Sequence, residues 1–224
     1  MKYLLTILLF TGLLHGSATM AQTVMNNKFK FENGIYTKHQ NLKDNKPAYP
    51  LFKIPNFEYQ LDSKGNLLFL SEKSLAQLEE SEIKSMDNIW GLCIDGKPYM
   101  KIKPNKEVDQ VYFVRYYILG AVCYLYYPVF EEQTVEMYVY NPYTGKKMGS
   151  KPIVNQEKKI IRKLMSFETG ELKDYNTDNL MAMIAKDKKL VAALADLAPI
   201  ELENKLFESI KIYNDRNPIL APQK

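Results

Sequence analysis

Side chains able to do covalent or acid–base chemistry are few in this chain and far apart. Two cysteines, Cys93 and Cys123, sit in neighbouring apolar runs. In an oxidising compartment they form a disulfide if their strands are neighbours with Cα atoms about 5.5 Å apart, a closure contributing about 3 to 4 kcal/mol. The alternative is two small buried hydrophobes. Without histidine partners they make a poor metal site. His15 lies in the apolar leader, so His39 is the one imidazole of the chain beyond it. It stands in a polar segment that matches no nucleophile motif and is expected on the exposed surface. No GxSxG, HExxH, phosphate-loop or dinucleotide-binding glycine pattern occurs. No catalytic residue, cofactor or metal is therefore assigned.

Two further groups have a chemistry to weigh. Glycoside hydrolysis needs two carboxylates at a set separation. Asp95, Glu131, Glu132 and Glu136 lie near turns or on the polar face of a strand, and their spacing alone brings no two together. Tyr124, Tyr126, Tyr138 and Tyr140 alternate along two predicted strands. They form either an aromatic face for stacking on sugar rings or meeting a partner protein, or a second buried face beneath helices.

The totals describe an ordinary globular chain, with 46% hydrophobic and 25% charged residues. Its 30 basic and 26 acidic residues are interspersed, which argues against nucleic acid as a partner. The opening MKYLLTILLFTGLLHGSATMAQ combines Lys2, an apolar run from Tyr3 to Leu14 and the small residues Gly16, Ser17, Ala18 and Ala21. That is the pattern of a signal peptide, expected over residues 1–21. The run is shorter than the roughly 20 residues of a spanning helix, so the mature chain is expected to have no transmembrane span. Export to the periplasm or outside the cell is implied. Residues 22–224 are enough for a single domain with its own core.

The elements that must position these residues are read from turn signals and periodicity. Asn33-Gly34 reads as a turn, and TKHQNLKDNKP as a short helix capped by Thr37. NFEYQLDSKGNLLFL reads as a hairpin around SKGN, and SEKSLAQLEESEIKSMDN as a short helix. Residues 89–127 hold the one Trp, both Cys and the densest run of Tyr, Val and Ile. They are expected to be the central strands, with a tight turn at Asp95-Gly96-Lys97, a bulge, a bend or a very tight turn at Gly120 and a stop at Pro128. In TVEMYVY, Val135, Met137 and Val139 alternate with Glu136, Tyr138 and Tyr140, which predicts a strand with one buried side. NPYTGKK turns into a return strand, Lys147 to Val154, and IIRKLMSFETGELKDYN repeats the device around Thr169-Gly170. Three helices follow over about 178–214, the last starting at Pro199 with a stripe of Leu202, Leu206, Ile210 and Tyr213. The expected fold is α+β: a mostly antiparallel sheet, meander or partly open barrel, over about 24–175, with the helices packed on it.

NGIY followed by a charged segment and a proline, IWGLCIDGKPYMKI, and FETGELKDYN with a closing IYNDRNP together resemble a group of uncharacterised exported proteins of Bacteroidota-type bacteria. The resemblance implies an envelope or secreted location in a bacterium with two membranes, and carries no catalytic residue. The expected function is a non-enzymatic binding or interaction module whose partner is an envelope protein or a glycan. The alternative is a small carboxylate-based glycan hydrolase.

Overall fold

The computed structural model describes residues 23–54, 56–71, 73–74, 88–102 and 112–222. The expected signal peptide, nearly all of the helix expected after Leu70 and the polar loop after Ile102 lie outside the described residues.

Among the described residues ten strands and four α-helices follow in chain order: β1 Gly34–Tyr36, α1 His39–Lys43, β2 Tyr49–Pro50, β3 Tyr59–Leu61, β4 Leu67–Leu70, β5 Gly91–Ile94, β6 Lys97–Ile102 and β7 Tyr112–Arg115. After them come β8 Val122–Tyr140, β9 Lys147–Ser166, β10 Leu172–Asp174, α2 Thr177–Met183, α3 Lys188–Ala195 and α4 Pro199–Arg216. Every pairing is antiparallel. Seven strands form a sheet in the order β2-β1-β5-β6-β7-β4-β3, curled into a half-barrel, and three form a second in the order β10-β9-β8. This is the α+β fold with C-terminal helices that the sequence predicts.

Turn chemistry sets the short hairpins. Asp95 and Gly96 both have positive φ, 51° and 73°, as a two-residue turn between right-twisted strands requires. Gly65 at 65° and Gly170 at 75° close the β3–β4 and β9–β10 turns. Asn33-Gly34, by contrast, is no turn. Gly34 opens β1, and a Cβ there would lie 2.4 Å from Pro47 and 2.6 Å from the Tyr49 carbonyl oxygen, so this glycine is required by the close approach of β2.

Period-two alternation builds three layers. From the seven-stranded sheet, Tyr36, Leu67, Cys93, Met100 and Val114 point to one side and meet Cys123, Leu125, Tyr127 and Met165 from the base of the β8–β9 hairpin. The intervening residues Ile35, Leu68, Leu92, Ile94 and Phe113 point to the other side, where Leu51, Ile54 and Phe57 from the β2–β3 connection cover them. The opposite face of the hairpin base, Val122, Tyr124 and Leu164, packs under Leu180, Ile184, Leu190, Leu194, Leu206 and Ile210 of the helices. The hairpin base is thus the middle layer. Caps match the helices to their ends: Asn176 accepts from the Asn179 amide, Asp187 from Leu190, and Pro199 starts α4.

Two strand boundaries differ from expectation. Pro128 does not end its strand, and the return strand does not stop at Val154. β8 runs 19 residues and β9 runs 20, in unbroken register from Val122↔Ser166 to Val139↔Gly149. β8 is the outer strand of its sheet, a position that tolerates a residue with no N–H.

Candidate functional site

Two features stand apart from the core: an open cleft of about 850 Å³ and the distal half of the β8–β9 hairpin. The cleft lies where residues 24–28, the β7–β8 connection and the end of α4 come together. Asparagine amides fix its walls. Asn27 donates to the Tyr117 carbonyl at 2.7 Å and accepts from the Leu119 amide at 2.6 Å. Asn214 closes both backbone groups of Val122, accepting from its N–H and donating to its carbonyl at 2.9 Å each. Gly120 lies directly under Asn214, where a Cβ would come within 2.4 Å of that side chain. Of the three irregularities expected at Gly120 the chain makes a bend, and the approach of Asn214 leaves no room for a side chain there.

Aromatic rings form the cleft's lining and the layer behind it. Tyr117, half-exposed, stands edge-on to Tyr126 at 5.4 Å and tilted against Phe207 at 6.0 Å, while Tyr124 meets Phe207 at 5.5 Å and Tyr175 at 5.1 Å. Asn66 donates to the Tyr126 hydroxyl at 3.1 Å, tying the half-barrel to this cluster. Burial pushes the Tyr124 phenol up, so it stays a neutral ring at physiological pH. Lys28, Arg115 and Lys211 bring positive charge to the cleft and Asp215 one carboxylate. Lys211 is shared with Glu208 at 3.0 Å and stands 4.5 Å over the Phe207 ring. Such an arrangement can hold a ring-bearing or anionic molecule. It offers no nucleophile with an adjacent base, and one carboxylate where glycoside hydrolysis takes two.

The four tyrosines singled out in the sequence are divided between base and tip. Tyr124 is 7% exposed and Tyr126 half-buried, both against the helices, whereas Tyr138 at 44% and Tyr140 at 57% are exposed on the distal hairpin. Tyr140 also follows a register shift after Val139. The buried face under the helices and the exposed face both exist, on different stretches of one strand.

That distal stretch corrects the expected buried side of TVEMYVY. Its alternation is real, but neither side is covered. Val135, Met137 and Val139 are exposed on one face and Glu136 and Tyr138 on the other. From Phe130 to Tyr140 the ribbon extends about 33 Å at about 3.3 Å per residue. Among the described residues β8 and β9 pair only with each other along this length. We call it the arm. Glu131, Glu132 and Glu136 all lie on it, and Asp95 lies in the β5–β6 turn of the other sheet, so no candidate carboxylate enters the cleft.

Cys93 and Cys123 are both buried and both free. The possible bridge is not formed: Cys93 is on β5 of the half-barrel and its thiol donates to Asn33, while Cys123 is on β8 and donates to the Gly120 carbonyl. Burial pushes both thiols up to about 12, so neither is a nucleophile at neutral pH.

His39 is not the exposed surface residue expected. Its ring lies 5.2 Å from Trp90 and 5.8 Å from Phe167, and its Nε2 is buried with no hydrogen-bond partner. Gly170 makes room for it, since a Cβ there would come within 2.7 Å of the imidazole. Lys43, donating to the Glu168 carbonyl at 2.9 Å, draws α1 onto this turn. Burial, then the charge of Lys43, lowers the imidazole pKa below its ordinary 6.5.

Fold and site together describe an antiparallel α+β protein that carries an open aromatic cleft and a projecting two-stranded arm. No family model, curated protein or solved structure matches the chain.

Proposed function

We propose that the protein is an exported, non-enzymatic interaction module of a bacterial envelope, and that the arm is its contact element. The arm is the observation that carries this reading. Val135, Met137, Val139, Tyr140, Tyr143 and Met148 are all exposed on it, and a two-stranded ribbon has little stability of its own, so a partner that covers it is the simplest reason for its composition. The leader pattern of residues 1–21 and the resemblance to exported proteins of Bacteroidota-type bacteria support the location. Among the described residues β10 flanks β9 only at the base, and along the arm Pro152 and the lysines of β9 guard that edge against strand addition. The test compares the intact exported chain with one in which residues 131–157 are replaced by a two-residue Asn-Gly turn. Both fold to the same core, and envelope fractions retain the first and release the second. Equal retention of both overturns the reading.

A further inference from the structure

The arm is not uniform along its length. Its lower part, next to the core, holds Glu131, Glu132 and Glu157 with Gln133, Gln156, Lys158 and Lys159. These groups satisfy one another: Lys159 pairs with Glu131 at 3.4 Å, Gln133 donates to Glu157 at 2.8 Å and Gln156 to Glu132 at 3.5 Å. The tip, residues 134–154, is different. It carries three lysines, Lys146, Lys147 and Lys151, against one acid, Glu136, a net charge of +2. Among the described residues none of these lysines has a carboxylate partner, and Lys147 lies instead 3.5 Å over the Tyr138 ring. Around them Val135, Met137, Val139, Tyr140, Tyr143 and Met148 are exposed, Tyr143 at 95% and Met148 at 68%.

Resting on the interaction-module reading, we infer that the tip docks on an anionic lipid surface, with Tyr140, Tyr143 and Met148 in the headgroup layer and Lys146, Lys147 and Lys151 on the lipid phosphates. Tyrosine suits that depth because one end of its ring is apolar and the other wet. Unpaired lysines beside it add attraction to negative headgroups. The separation of charge along the axis gives the orientation: acids sit at the core end, where lysine and glutamine side chains satisfy them, and are nearly absent at the far end, where they would meet phosphates. The strand from Val135 to Val139 is five residues with Glu136 inside it, short of the roughly nine to eleven of a spanning strand, and Glu136 and Lys151 lie on opposite faces of the ribbon, so the tip lies in the interface and does not cross. A second copy is a poorer occupant for the tip, because its lysines would face lysines.

The experiment uses the exported full chain and vesicles of phosphatidylcholine with and without phosphatidylglycerol, read by sedimentation at physiological salt. Binding to the anionic vesicles and not to the neutral ones is expected. Lys146→Gln and Lys151→Gln should each lower the partition coefficient about fivefold. In a Tyr143→Trp variant, brominated acyl chains should quench the added fluorescence over the Trp90 background. Absence of vesicle binding overturns the inference, as does binding that the lysine variants leave unchanged or self-association of the chain that tip variants abolish. If vesicles fail while envelope fractions still distinguish the intact arm from the shortened one, the partner is a protein or glycan and the interaction module stands. If the arm makes no difference to either, both readings fall.

Discussion

The two halves of the β8–β9 hairpin are built alike and live in different surroundings. Leu125 at the base and Met137 at the tip occupy the same strand and the same face, yet the first is sealed between the half-barrel and its neighbours and the second is in water. Both halves alternate, both pair in one register as far as Val139, and both carry tyrosine and β-branched residues. The comparison teaches that periodicity specifies a strand with two faces and leaves open what lies over each of them. Stability should therefore reside in the base and function in the arm.

The sharpest way to break this division is truncation at matched positions. Leu125→Ala should cost about 2 to 5 kcal/mol in urea unfolding, while Met137→Ser should stay within about 0.5 kcal/mol. Comparable losses at both sites would mean that the tip is packed in solution. Asn214→Ala, which leaves both backbone groups of Val122 unsatisfied where the hairpin begins, should destabilise by about 1 to 3 kcal/mol, again seen as a lower urea midpoint. Removing the cap of α2 with Asn176→Ala should cost about 1 kcal/mol, because the Asn179 amide loses its acceptor. His39 gives the smallest effect, one seen only against pH. Its pKa in the fold is below the ordinary 6.5, so the unfolded chain binds the proton first. The stability it contributes is complete above about pH 6.5 and declines as pH falls below that, toward the folded-state pKa. A His39→Gln variant should flatten this part of the stability profile, and an unchanged slope between wild type and variant would show that the imidazole is not the group responsible.

Much of the body was legible in the sequence because its turns declare themselves. SKGN, Asp95-Gly96 and Thr169-Gly170 each place a glycine where left-handed backbone closes a hairpin, and Pro199 with the stripe from Leu202 to Tyr213 marks α4. Three things were not. Pro128 reads as a stop from local rules, but its strand is an edge strand, and edge position is a property of the whole sheet. The cleft was missed for a similar reason. Arg115, Tyr117, Phe207 and Asn214 come from segments far apart in the chain, and no local spacing links them. The aromatic density of residues 112–127 was the one available hint, and it pointed to Tyr124 and Tyr126, which stand behind the cleft. His39 was misread because its polar neighbours in sequence are not its neighbours in space.

One seam remains. Near the cleft the Met25 amide donates to the Ile219 carbonyl, the Ala221 amide to that of Thr23, and Val24 bridges Leu220. These contacts join segments nearly two hundred residues apart in the chain, so the seam cannot zip until residue 221 has been made, and a ribosome-bound chain stays unclasped there until synthesis is almost over.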